Sequence, residues 1–202
     1  YNENILIESK SINVQGMDGD SRDSTRIKGT GSGTVASIVG GIVNFSDLTI
    51  SGGEQGVSIT TNAVSELNNL VIENNSGSGT GGGIFVASNS DVVLSDLLIQ
   101  NNDAAQGGGI HIESSTKRLV VTGSTIRGNS ATETGGGIHT ASSLSIGSSW
   151  ISDNIADAAG GGLYATLTSP QVDDSDFWGN SADNGGAIAL ESTTTSAYFA
   201  NR

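Results

Sequence analysis

Gly81-Gly82-Gly83-Ile84, Gly107-Gly108-Gly109-Ile110, Gly135-Gly136-Gly137-Ile138, Gly160-Gly161-Gly162-Leu163 and Gly185-Gly186-Ala187-Ile188 are five versions of one phrase. Their apolar members fall at 84, 110, 138, 163 and 188, in steps of 26, 28, 25 and 25 residues. A fixed period of that length is the signature of a solenoid, in which each repeat is one coil stacked on the last. A second marker keeps its place in every repeat, an apolar residue three positions before an Asn. The pairs are Ile72/Asn75, Ile99/Asn102, Ile126/Asn129, Ile151/Asn154 and Phe177/Asn180. Aligned on these markers, each repeat holds three short apolar runs, as in Ile84-Phe85-Val86, Val92-Val93-Leu94 and Leu97-Leu98-Ile99.

Alternation along a strand sends every second side chain inward. The inward columns are then Ile84/Ile110/Ile138/Leu163/Ile188, Leu67/Leu94/Val121/Ile146/Val172 and Ile50/Ile72/Ile99/Ile126/Ile151/Phe177. Three strands in so short a coil predict an all-β fold, a parallel β-helix. The general preference for right-handed parallel crossovers makes it right-handed. The pattern weakens upstream, where Ile5-Leu6-Ile7, Ser11 to Val14 and Arg26-Ile27 make one coil, and Val35 to Ile50 and Val57 to Ile72 make two more. The expectation is about eight coils, some partial, in a body about 35–40 Å long. No linker interrupts residues 1–202, which read as a single β-helix domain. With Tyr1 at its start and Arg202 falling in mid-coil, the chain reads as a piece of a longer secreted or surface protein.

Composition narrows the partners. The net charge of −13 argues against nucleic acid and against an anionic membrane surface, both of which need basic patches. No apolar run is long enough to span a membrane. Cys is absent, so neither a disulfide nor a thiolate metal site can form. Thirty Gly, one Pro and few aromatics suit many short strands and tight turns.

Several residue groups stand out against the repeat. The Gly triplets lack the following Lys and Ser/Thr of a phosphate loop, and read as corners that need positive φ or close coil-to-coil approach. The Asn series reads as a ladder of amides bonded from coil to coil. The residue after each inward Ile or Leu points out, giving the column Phe85, His111, His139, Tyr164 and Ala189. Glu113 lies two residues beyond His111, so His111, His139 and Glu113 offer ligand types suited to Zn²⁺ or to acid–base chemistry. The plainer reading is an exposed aromatic ladder whose rings pack on one another; a further reading makes the column, with Glu113, a shallow binding strip for sugar or protein. Trp150 and Trp178 face outward just before and just after the marker residue of consecutive coils, each either covered by a turn or used in binding, and both join the candidate binding residues. Asp173, Asp174 and Asp176 form the densest acidic cluster and are the candidate catalytic carboxylates, although the alignment puts the first two in a turn. The loop holding Asp18, Asp20 and Asp23 has oxygen ligands for Ca²⁺; no other cofactor is expected.

Phe177-Trp178-Gly179-Asn180, followed by Gly185-Gly186-Ala187-Ile188, resembles the paired FxxN and GGA[ILV] repeats of chlamydial polymorphic outer-membrane proteins. The other repeats are similar, with Gly for Ala and Ile for Phe. Tyr1-Asn2-Glu3-Asn4-Ile5 resembles the opening coil of secreted pectin-lyase-like β-helix domains. The resemblance implies a surface-displayed passenger that mediates adhesion. Arg26-Ile27-Lys28 and the Asp pair also resemble motifs of β-helix polygalacturonases. In that family, however, the basic motif follows the pair, and here it precedes it.

The expected function is therefore non-catalytic. The chain is read as a structural or adhesive β-helix, at a bacterial outer membrane or secreted, that binds a cell-surface glycan or protein through outward residues and continues into neighbouring domains. One alternative is a polysaccharide-active enzyme (lyase, epimerase or hydrolase) using the Asp cluster or the His111, His139 and Glu113 group. Another is a phage tailspike-like fibre, which would trimerise.

Overall fold

Each repeat closes into one coil with three walls. The computed structural model describes residues 2–17, 22, 24–87, 89–166 and 169–191, with the backbone of 198–200. Among these residues there is no helix, and every strand pair is parallel. The glycine phrases feed the first wall, where Ile84–Val86, Ile110–Ile112, Ile138–Thr140, Leu163–Thr166 and Ile188–Glu191 stack in order. The second wall includes Val64–Asn68, Asp91–Ser95, Arg118–Thr122, Leu144–Gly147 and Gln171–Asp173. The third runs from Arg26–Lys28 through Thr49–Ser51, Val71–Glu73, Leu98–Gln100, Thr125–Arg127 and Trp150–Ser152 to Asp176–Trp178.

The register stacks like on like. Ile84 pairs with Ile110, Ile110 with Ile138, Ile138 with Leu163, and Leu163 with Ile188. In the third wall Ile50, Ile72, Ile99, Ile126, Ile151 and Phe177 follow one another in the same way. All three inward columns are buried except at their last rungs, where Phe177 and Ile188 are half-buried. Burying one such aliphatic side chain is worth roughly 1.5–3 kcal/mol, so the columns are the main stabilising term of the body.

Two rows of single left-handed residues turn the corners. Asp47, Asn69, Asp96, Gly123, Ser148 and Asp174 have φ of 45–58° between the second and third walls. Gly52, Asn74, Asn101, Gly128, Asp153 and Gly179 have φ of 54–76° where the third wall ends. Asn, Asp and Gly populate this region most readily, which is why these types recur there. The turn between second and third walls also carries a hydroxyl ladder. Leu97 N–H donates to Ser124 Oγ, Ser124 N–H to Ser149 Oγ and Ser149 N–H to Ser175 Oγ, at 3.1–3.2 Å.

The asparagine ladder follows the second row of corners. Asn75 Nδ2 donates to Asn102 Oδ1, Asn102 Nδ2 to Asn129 Oδ1, Asn129 Nδ2 to Asn154 Oδ1 and Asn154 Nδ2 to Asn180 Oδ1, all at 2.9–3.0 Å. Each amide also takes up backbone groups of the neighbouring coils. Asn129, for example, accepts from Asn102 N–H and donates to Ile99 C=O. The ladder satisfies polar groups that would otherwise be stranded beside the core.

The expected coil number needs one correction. Six regular coils lie between Thr34 and Trp178, and the two end coils differ from them. In the first, Ile5–Gln15 runs as one largely exposed strand through both the first and second walls. The last has no third-wall strand among the described residues. Thr34–Ser46 likewise passes through two walls, bending at Gly40 and Gly41, where φ is 68° and 84°. Through Ile5–Gln15 and Thr34–Ser46 the first two walls form one sheet, the third wall a second, and a short third sheet adds a strand that the three-strand coil did not include. Asp103–Gln106, Ser130–Thr134 and Ile155–Ala156 pair beyond the Asn ladder, with Ala104, Ala131 and Ala156 stacked and buried.

Candidate functional site

Two groups of ring-bearing residues lie on the outside of the coil, and they differ in depth. The first is the column on the first wall. Phe85 and His111 stack with ring centroids 5.7 Å apart, His111 and His139 at 4.7 Å, and His139 and Tyr164 at 5.1 Å. The continuous stack matches the expected ladder, but its exposure does not. His111 and His139 are each only 7 % exposed. The glycine turns explain part of this closeness. A Cβ on Gly135 would stand 2.7 Å from His139 Cβ, so the turn leading into the wall is pressed against the base of the ring column. Thr134, one residue earlier, shares a 2.9 Å hydrogen bond between its Oγ1 and His139 Nδ1.

Burial sets the electrostatics of the stack. His111 is pushed down to about 4 by burial first and by neighbouring His139 second, and its Nδ1 is buried with no hydrogen-bond partner. His139 is also lowered by burial, against the opposing effects of its hydrogen bond to Thr134 and the charge of Glu133. At the end of the column the Tyr164 hydroxyl donates to a Glu191 carboxylate oxygen. Burial, that hydrogen bond and the Glu191 charge push Tyr164 up to about 12. Glu113 is exposed just past the end of Ile110–Ile112. The His111, His139 and Glu113 group is not assembled as a ligand set, and no cluster of three metal-ligating side chains occurs among the described residues.

The second group lies on the third wall and is open. Trp150 is 47 % and Trp178 is 64 % exposed. Trp150 pairs in register with Asp176, so Trp178 stands one coil across and two residues along from it. Strand geometry puts their Cα atoms about 8 Å apart on the same face. The two indoles line a shallow depression of about 390 Å³ together with Thr125, Arg127, Ser152 and Asp153. Arg127 is fixed from the coil before, since its Nε and Nη2 both donate to Gln100 Oε1 at 3.1 and 2.9 Å. Gln100 in turn donates from Nε2 to Glu73 Oε2 at 2.8 Å, and Arg26 pairs with Glu73 at 3.3 Å. A polar ladder thus runs up the third wall and ends at the tryptophans.

The acidic cluster is split by a corner. Asp173 ends the second-wall strand, Asp174 takes the left-handed corner at φ 45°, and Asp176 begins the third-wall strand opposite Trp150. All three are exposed. The alignment put both Asp173 and Asp174 in the turn; Asp174 is there, where the corner geometry suits Asp, but Asp173 is the last residue of the strand, paired with Gly147. The Ca²⁺ candidates Asp18, Asp20 and Asp23 lie outside the described residues. Sequence reasoning missed Arg127 and Thr125 as neighbours of the tryptophans. The signal was there in the repeat, because both sit at the positions flanking Ile126, one coil before Trp150 flanks Ile151 and two coils before Trp178 flanks Phe177.

No described helix is long and apolar enough to cross a membrane. A family model described as a right-handed beta helix region matches residues 4–202. No curated protein and no solved structure matches the chain.

Proposed function

The chain belongs to the right-handed β-helix family, and from that premise we propose that it is a non-catalytic structural and adhesive element of a bacterial surface or secreted protein, holding outward residues for a glycan or protein on another surface. The observation that carries this reading is the exposure of Trp150 and Trp178 on the third wall, where no other large apolar side chain among the described residues is exposed. Large apolar rings left in water on a rigid support are a recurrent mark of binding surfaces. Two further features support it. The corners beside the tryptophans, Ser148, Asp153, Asp174 and Gly179, are single left-handed residues, so this part of the wall is bounded by tight turns instead of long loops that could build a deep cleft. The stacked columns and ladders make a stiff rod, which suits display. The resemblance of the FxxN and GGA[ILV] pairing to chlamydial surface repeats points the same way.

The test has two arms on the purified chain. Probed against arrays of glycans and of cell-surface proteins, it is expected to be retained. Incubated with acidic and neutral polysaccharides, it is expected to release no product. Turnover that disappears in Asp174→Asn would overturn the reading.

A further inference from the structure

Taking the surface-binding reading as its basis, we infer that the Trp150–Trp178 depression is a binding site for an uncharged glycan chain. The first argument is that the fold does not need these tryptophans. Residues paired with Trp150 along the same column of the third wall are Thr125 on one side and Asp176 on the other, and those flanking Trp178 are Ser152 and, earlier, Arg127. The same column holds Thr49, Val71, Leu98, Thr125 and Asp176 in other coils, so the fold accepts polar, aliphatic or charged side chains there. Both indoles nevertheless keep about half or more of their surface in water. Both are also held on strands whose register is fixed by pairing, so their spacing is built in.

The lining sets the chemistry of the ligand. Besides the two indoles it consists of Thr125, Arg127, Ser152 and Asp153, each a hydrogen-bonding side chain, with no aliphatic group. A ligand that fits must offer flat apolar faces and carry hydroxyl groups around their rim. Pyranose rings have that form, with C–H faces for the indoles and hydroxyls for the polar rim. Arg127 is suited to this task because the clamp by Gln100 uses Nε and Nη2 and leaves the Nη1 donors for a ligand. Asp153 supplies the matching acceptor.

Charge selects among glycans. One guanidinium faces one carboxylate in the lining, Asp176 adds a second carboxylate beside Trp150, and the chain as a whole carries −13. A polyanion such as a uronic-acid polymer meets no excess of positive charge here and is repelled at longer range. Geometry disfavours a peptide. The depression lies on the outward face of paired strands, Thr125–Arg127 with Trp150–Ser152 and that strand with Asp176–Trp178; the last of these keeps one edge unpaired among the described residues, but a peptide added there would extend the wall beyond Trp178 and would not lie over both indoles. The depression is also far smaller than the area a stable protein partner occupies.

The experiment uses an unusual convenience of the chain. It has two tryptophans, and both line the depression, so intrinsic emission reads this site alone. Cellohexaose, mannohexaose and maltohexaose are the neutral probes, hexagalacturonate the anionic one. At least one neutral probe is expected to change the emission saturably, with little dependence on salt. Trp178→Ala should weaken that binding about ten-fold, the scale of one lost stacking contact, and Trp178→Phe should recover part of it. Arg127→Gln should weaken it while leaving thermal unfolding unchanged. No response to any neutral probe, or a preference for hexagalacturonate, overturns the inference. Retention of a protein on the array that both tryptophan variants leave intact also overturns it, while leaving the adhesive reading standing.

Discussion

Acid should loosen this rod through one residue. His111 is nearly buried, stacks between Phe85 and His139, and has an unpartnered Nδ1. Its folded value lies at about 4 against an ordinary 6.5. The lowered value means the unfolded chain takes up the proton first. Stability is therefore full above pH 6.5, declines as pH falls from 6.5 towards 4, and levels off below 4. A difference of that size amounts to about 3 kcal/mol at its limit and about 2 kcal/mol at pH 5. His139 adds a loss of the same sign, moderated by Glu133 and Thr134. The groups that bear on the stack are Glu133 beside His139 and Glu191 on Tyr164, both acidic, so neither raises the barrier to protonation.

Carboxylate titration acts in the same range, because the chain has 21 Asp and Glu and sheds self-repulsion as they protonate. The His111→Phe variant separates the two effects. It keeps a ring in the stack and removes the titration. Urea midpoints of both proteins at intervals from pH 7.5 to 4 give the comparison, with slopes checked for constancy. Wild type should lose stability relative to His111→Phe by about 2 kcal/mol between pH 7.5 and 5. Parallel curves for the two proteins would refute the argument, since His111 would then have to be equally easy to protonate folded and unfolded.

Other substitutions test the ladders and corners. Asn129→Ala removes the partner of Asn102 N–H, of Ile99 C=O and of one of the two Asn102 Nδ2 donors, the other staying bonded to Ile72 C=O, so urea unfolding should show a loss of roughly 3 kcal/mol; a loss under about 1 kcal/mol would mean that water replaces the amide. Gly136→Ala would bring a Cβ to 2.3 Å from Ile155 O and 2.7 Å from Gly161 O. Both are backbone atoms with no room to yield, so Tm should fall clearly, by about 1–3 kcal/mol of overpacking. Gly147→Ala meets nothing nearer than Thr122 Oγ1 at 4.0 Å and should leave Tm unchanged or slightly raised. In a spectrophotometric titration one tyrosine should ionise only at about 12, and Glu191→Gln should lower that step.

The sequence conveys direction better than depth. The repeat fixes which residues point inward, because a solenoid returns the same column to the same place on every coil, and the columns headed by Ile84, Leu67 and Ile50 are buried as the alternation requires. Corners were legible for a related reason, since Asp, Asn and Gly recur where a left-handed residue is needed. The short three-stranded sheet was not, because Ala104, Ala131 and Ala156 carry too little side chain to register as a strand, although their spacing behind the Asn marker was constant. Depth on the outside is a different quantity. His111 and Trp150 both point away from the core, yet one is buried and the other open. What separates them is not their own strand but what lies beside it. The first wall has the glycine turn pressed against its ring column, whereas the third wall is bounded by single corner residues and leaves its rings in water. A ring that its neighbours enclose contributes to holding coils together, and a ring that they leave open is available to a ligand. On that distinction the histidine column is a stability element that senses acid, and the proposed binding role rests on the tryptophans of the third wall.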